Sequence, residues 1–125
     1  MPKDPVFVAR SYADAYAAFD VPALREALAP TLQFRQINPG GYLSLTTADD
    51  YIDATKAFLD GFDRWEPACA SAEPFGDRVA TTSRLRLHQG GHSYLMQHSE
   101  IVTVRDGKVV AIDSACSGPR PEVAQ

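Results

Sequence analysis

Two ionisable residues, His98 and Glu100, stand two positions apart in the stretch 93–105, Ser-Tyr-Leu-Met-Gln-His-Ser-Glu-Ile-Val-Thr-Val-Arg. A strand sends alternate side chains to opposite faces. One face of this stretch therefore carries Tyr94, Met96, His98, Glu100, Val102 and Val104, and it is apolar apart from the histidine and the glutamate. Burial raises a carboxyl pKa and lowers that of an imidazole, so the pair would present an acid beside a neutral base near pH 7. That is the equipment for acid–base chemistry. Residues i and i+2 of a strand lie ~7 Å apart, too far for a direct hydrogen bond but close enough to reach one ligand. The alternative is that both groups are satisfied internally, by Tyr12, Tyr16 or Asn38.

The surrounding chain supplies the elements that must hold these groups. Period-two patterns over 79–88, 93–105 and 108–116 read as three strands joined by Gln89-Gly90-Gly91 and Asp106-Gly107, the latter a strong type I′ hairpin signal. A further strand at 65–72 is interrupted by Pro67, which places it at an edge or makes it start late. The N-terminal half reads as three helices. One spans 5–19 behind the N-cap Asp4, and a short one follows Asp20 and ends at Pro30. The third spans 48–60 after Thr47-Ala48-Asp49-Asp50, which resembles a capping box. Between them 31–38 alternates as a strand, broken by Asn38-Pro39-Gly40-Gly41, with a short return at 42–45. The expected fold is α+β: a curved antiparallel sheet wrapped around three helices, a cone with a pocket at its open end. The chain reads as one domain over 1–125, with a core at about 5–117 and a tail or edge-covering segment at 118–125.

Strand phase assigns Phe34, Gln36 and Asn38, then Leu85 and Leu87, to the interior. It does the same for Met96, His98, Glu100, Ile112, Ser114 and Cys116. The result is an apolar cavity with a few convergent polar groups, the usual character of a small-molecule site. Tyr16, Tyr51, Phe58, Phe62 and Trp65 read as core or pocket wall. Tyr12 is a packing residue with a polar tip or a hydrogen-bond donor to the ligand; Asn38 orients a ligand or merely forms the turn. Arg84, Arg86, His88 and Asp113 fall on the outer face, where Asp113 and the two arginines can pair at a homodimer contact.

Composition narrows the classes. With 45% hydrophobic and 22% charged residues and a net charge of −4, the chain is an ordinary globular protein without a nucleic-acid footprint. No apolar run approaches the ~20 residues of a membrane span. No signal-peptide core stands at the N-terminus, so a cytoplasmic location is expected. Cys69 and Cys116 make no metal-ligand spacing with the histidines; free thiols and no metal or cofactor are expected.

Three stretches, "YADAYAAFDVPALREALAP", "FRQINPG" and "HSEIVTVRDGKVVAIDSACSG", resemble the SnoaL-like and ketosteroid isomerase-like members of the nuclear transport factor 2-like superfamily. The resemblance spans roughly 5–117 and implies the cone-shaped, cystatin-like α+β barrel. It places the isomerases' first-helix tyrosine at Tyr12 and their protonated acid at Glu100. It places their aspartate base at Asn38, or at Gln36 without a two-residue shift. Neither amide can be a general base, so steroid isomerisation by the family mechanism is not expected. The superfamily's dehydratases use histidine and tyrosine, which suits His98; the Asp-Arg-Asp set of its epoxide hydrolases is not found in the pocket phase. The resemblance thus implies cofactor-independent isomerase, dehydratase or cyclase chemistry on a small apolar molecule, with His98, Glu100 and Tyr12 in catalytic roles. The other reading is a non-catalytic module that binds a hydrophobic ligand.

Overall fold

The computed structural model describes residues 4–122. Three helices, α1 (Pro5–Ala18), α2 (Val21–Ala27) and α3 (Ala48–Leu59), accompany seven strands. The strands are β1 (Leu28–Asn38), β2 (Gly41–Thr47), β3 (Arg64–Phe75), β4 (Arg78–Gln89), β5 (His92–Arg105), β6 (Lys108–Cys116) and β7 (Arg120–Pro121). Each helix starts where a short polar side chain accepts an orphan backbone N–H: Asp4 from Val6, Asp20 from Ala23 and Thr47 from Asp50. Both positive φ values of the Asp106-Gly107 turn, 53° and 75°, match the mirror-image hairpin its sequence demands.

The fold is α+β, and its sheet runs β2-β1-β6-β5-β4-β3, with β7 added to β5. It differs from an all-antiparallel sheet at one seam: β1 and β6 are parallel. The reason is topological. The β1–β2 hairpin occupies one edge of β1, and the last long strand comes back to the other edge in the same direction. The sheet curves without closing, so β2 and β3 remain edges. Pro67 and Pro74 sit on the edge strand β3, where a missing donor costs least, and the register slips between Pro67 and Cys69. Similarly, β1 begins at Leu28 rather than at residue 31 and absorbs Pro30 where its pairing with β6 shifts register.

Helix α1 packs mainly on β3 and β4, and α3 on β1 and β2. The alanines of α1 (Ala9, Ala13, Ala15, Ala17) are buried, which lets the helix lie close to the sheet. Leu24, Leu32, Leu59, Leu85, Leu87, Val102 and Ile112 complete a core between the two layers. The inner face of β5 carries Met96, His98, Glu100 and Val102, all buried. On the outer face Asp113 pairs with Arg35 at 3.0 Å, not with Arg84 or Arg86. Arg35 is its register partner across the parallel seam, whereas both other arginines lie on β4, two strands away. Arg84 instead donates to Gln97, and Arg86 to Glu122. Among the described residues no helix is long and apolar enough to cross a membrane.

The segment after β6 is drawn into the sheet. Past a kink at Ser117-Gly118-Pro119 the chain pairs again with β5, Arg120 opposite Leu95 and Pro121 opposite Tyr94. Within the expected tail, Arg120–Pro121 therefore extend the sheet, and its last residues, 123–125, lie outside the described residues.

Candidate functional site

Between α3 and the β1–β2–β6–β5 half of the sheet lies a cavity of about 400 Å³. Phe34, Leu43, Leu45, Tyr51, Phe58 and Met96 give it apolar walls, and Gln36, Asn38, Tyr16, His98 and Cys116 bring polar atoms to it. Its lip is formed by Pro39-Gly40 at the end of β1 and by Ser117-Gly118-Pro119-Arg120 after β6. Gly118 joins the two sides of that lip. Its φ is +66°, and a Cβ there would meet Pro39 Cγ at 2.9 Å. Gly118→Ala is expected to cost ~1–3 kcal/mol from the left-handed backbone alone, with Pro39 displaced as well. Thermal unfolding of the variant checks this, and an unchanged midpoint would refute it.

His98 is the ionisable centre of the wall. Its Nε2 lies 3.2 Å from Tyr16 Oη, with the rings edge to face at 4.7 Å. Its Nδ1 is buried and has no partner. Desolvation lowers its pKa from 6.5 to about 4, so the imidazole is neutral at pH 7. Two tautomers satisfy this contact: Tyr16 Oη donates to Nε2 with the ring proton on Nδ1, or Nε2–H donates to Tyr16 Oη and the hydroxyl proton turns to the cavity that Tyr16 lines. In either, Nδ1 is a buried ring nitrogen without a partner. Such orphans are rare and costly.

Glu100 is buried behind the wall rather than on it. Its Oε1 accepts from Tyr12 Oη at 2.7 Å, and Ser114 also hydrogen-bonds it. Burial raises its pKa, while the Tyr12 and Ser114 bonds pull it back down. Tyr12 Oη lies 2.9 Å from Tyr51 Oη; because Tyr12 spends its one proton on Glu100, Tyr51 donates to Tyr12. Tyr51 does line the cavity, so a line of hydroxyls runs from the cavity through Tyr51 and Tyr12 to Glu100. Burial holds all three tyrosines, Tyr12, Tyr16 and Tyr51, well above the ordinary phenol pKa. A second line runs from the lip, Asn38 Nδ2 to Gln36 Oε1 at 3.0 Å and Gln36 Nε2 to Ser114 Oγ at 3.3 Å.

The structure thus brings His98, Tyr16, Gln36, Asn38, Phe34, Phe58, Met96 and Cys116 to the cavity, and leaves Tyr12, Glu100, Ser114, Ile112 and Trp65 off its wall. Tyr12 and Tyr16 share one face of α1, and its docking on the sheet puts Tyr16 beside the cavity and Tyr12 one turn deeper. Ile112 is fully buried in the core, and Trp65 packs edge-on against Phe19. Asn38 does both things its sequence context allowed: Oδ1 accepts from Gly40 N–H at 2.9 Å to form the turn, while the residue also lines the cavity. Cys69 and Cys116 are free. Burial pushes the Cys116 thiol up, and a neutral thiol beside a neutral imidazole is not an activated nucleophile. Tyr51, read from sequence as core or pocket wall, does line the cavity, whereas Arg120, read as part of a tail, is a wall residue that sequence reasoning passed over. Among the described residues no three His, Cys, Asp or Glu side chains cluster as a metal site.

The family model of the SnoaL-like domain matches residues 8–112. The chain belongs to the SnoaL-like domain family. Solved structures agree on the fold of this SnoaL-like chain. IdmH from Streptomyces antibioticus, a candidate polyketide cyclase, is 18% identical with a TM-score of 0.73, over 91% of this chain and 92% of that one. A candidate ketosteroid isomerase from Kribbella flavida DSM 17836 is 18% identical at a TM-score of 0.67, over 97% and 80%. An LEH-like epoxide hydrolase of M. tuberculosis is 13% identical at 0.67, over 90% and 82%. No curated protein sequence matches the chain.

Proposed function

We propose that the cavity is a cofactor-independent acid–base site of the isomerase, dehydratase or cyclase type, acting on an apolar cyclic or carbonyl-bearing molecule. The observation that carries this reading is the neutral His98 on the wall of an apolar cavity, its Nδ1 without a partner; in the tautomer with the ring proton on Nδ1 it is a donor held for a ligand. A carbonyl oxygen there accepts the donor the protein leaves unused, and an enolate oxygen accepts it more strongly. With an amide, Asn38 or Gln36, where the isomerases' aspartate would fall, the proton acceptor is Glu100 acting through the hydroxyls: a proton leaving the α-carbon passes to Tyr51, that of Tyr51 to Tyr12, and that of Tyr12 to the Glu100 carboxylate. Neighbouring folds named as a candidate polyketide cyclase, a candidate ketosteroid isomerase and an epoxide hydrolase support small-molecule chemistry here.

The test is deuterium wash-in. Steroid, terpenoid and polyketide-like ketones that raise the melting temperature are incubated with the full chain in D2O, and exchange α to the carbonyl is followed by NMR. The expected result is exchange above the buffer rate, lost in His98→Gln. Saturable binding without exchange would instead favour the non-catalytic binding module, a reading supported by the absence of a carboxylate on the wall. The same proposal places a homodimer contact on the outer sheet face, where Ile37 and its partner Tyr42 lie exposed; sedimentation of wild type against Ile37→Lys checks it, and a monomeric wild type would refute it.

A further inference from the structure

Asn38, Gln36, Ser114 and Glu100 form a line of hydrogen-bonding side chains from the lip to the buried carboxyl. Gln36 is opposite Ser114 across the parallel β1–β6 seam, Ser114 is opposite Glu100 across β6 and β5, and all three are buried. The sense of every bond is decided at the outer end, by a backbone donor that cannot be reassigned. Gly40 N–H donates to Asn38 Oδ1 at 2.9 Å. The other end of that amide is then its NH2 group, which donates to Gln36 Oε1 at 3.0 Å. Gln36 is oriented in turn, with Nε2 donating to Ser114 Oγ at 3.3 Å. A serine hydroxyl that accepts from Gln36 still has one proton to place, and its bond to Glu100 takes it.

Glu100 thus receives hydroxyl donors from two elements, Tyr12 on α1 and Ser114 on β6. The titratable groups around it are Tyr12 and Tyr16 from α1, Tyr51 from α3, Cys116 from β6 and His98 on β5, all neutral at pH 7. Its partner on β4 is Thr81. Donors to the ionised form favour that form, so the direction of the line bears on whether Glu100 can hold a negative charge.

We propose that Asn38 and Gln36 are positioning residues for Glu100: the turn closed by Asn38 and Gly40 sets both amides in one sense, and that sense commits the Ser114 hydroxyl to the carboxylate. This role rests on the reading of Glu100 as the proton acceptor, and it gives two amides that cannot be bases a task in the same reaction.

Asn38→Asp tests it, because a carboxylate still accepts from Gly40 N–H but has no N–H to give Gln36. Gln36 then turns over, donating Nε2 to the new carboxylate and accepting the Ser114 proton at Oε1, and Glu100 loses its Ser114 donor. Ionisation of Glu100 is followed by carboxyl-carbon NMR of the full chain, enriched in labelled glutamate, across a pH series; Glu100→Gln assigns the signal. Asn38→Asp is expected to lower the acid ionisation constant of Glu100 about tenfold, the scale of one hydrogen bond to a charged group. The introduced charge also acts through space, so the comparison is repeated in Gln36→Met, which keeps that repulsion and cuts the line. There the effect should shrink to about threefold or less. Ser114→Ala carries the same comparison should Gln36→Met fail to fold. An unchanged constant in Asn38→Asp, or an effect of equal size in the cut background, would overturn the proposal. The pH midpoint of deuterium exchange should rise in parallel with the NMR titration. Wild type that exchanges nothing would sink the acid–base reading, and the NMR comparison would still decide the role of the two amides.

Discussion

His98→Gln is expected to remove about 3 kcal/mol of acid lability and to abolish α-proton exchange. The imidazole is neutral in the folded protein down to about pH 4, whereas in the unfolded chain it takes up a proton near 6.5. The unfolded state therefore gains proton binding as pH falls from 6.5 towards 4, and stability is lost across that window. At about 1.4 kcal/mol per pH unit, the gap between 6.5 and about 4 amounts to ~3 kcal/mol. Glu100 has the opposite sign. Its carboxyl pKa is raised above 4.5 in the fold, so its contribution is fully present below 4.5 and is lost as pH rises. The two slopes oppose each other in wild type, and single variants uncover them. Urea unfolding between pH 4 and 8 should show His98→Gln losing less stability than wild type on acidification, and Glu100→Gln losing more. Subtracting wild type at each pH cancels the surface carboxylates common to all three proteins. A difference that does not vary with pH would mean that His98 is solvated, and the donor assigned to Nδ1–H would fall with it.

Much of this site could be read from local sequence because β5 and β6 are regular. Period two put His98, Glu100 and Ser114 on the inner face, and Asp106-Gly107 fixed the hairpin that aligns them. The unread part is non-local. Tyr12 and Tyr16 are one helical turn apart on the same face of α1, and only the way that helix docks on β3 and β4 decides which of them meets the cavity. The parallel β1–β6 seam brings Gln36 beside Ser114, a pairing set by topology rather than by either strand's pattern. The lip after β6 was hidden by composition: two prolines and a glycine read as a tail, yet the same residues form a kink that borders the cavity and returns the chain to β5.

Tyr12→Phe is expected to destabilise the fold by ~2–6 kcal/mol, and Tyr51→Phe by only ~1 kcal/mol, although the two hydroxyls share one hydrogen bond. Removing the Tyr12 hydroxyl leaves two buried groups unpaired, Glu100 Oε1 and the Tyr51 O–H, at ~1–3 kcal/mol each. Removing the Tyr51 hydroxyl takes from Tyr12 only a donor it accepts from, while its own bond to Glu100 remains. The penalty of Tyr12→Phe should also grow with pH. The Tyr12 bond holds the Glu100 pKa down, so its loss raises that pKa further and makes ionisation costlier. In a Glu100→Gln background the growth should disappear, because an amide does not ionise. Equal, pH-independent penalties for Tyr12→Phe and Tyr51→Phe in chemical denaturation would refute the arrangement. Tyr51→Phe then separates structure from chemistry. The variant keeps the fold and the Tyr12–Glu100 bond but cuts the Tyr51–Tyr12 line of hydroxyls between the cavity and the carboxylate, so deuterium exchange should fall at least tenfold while ligand affinity changes little. Exchange that survives Tyr51→Phe would place the proton acceptor elsewhere on the wall.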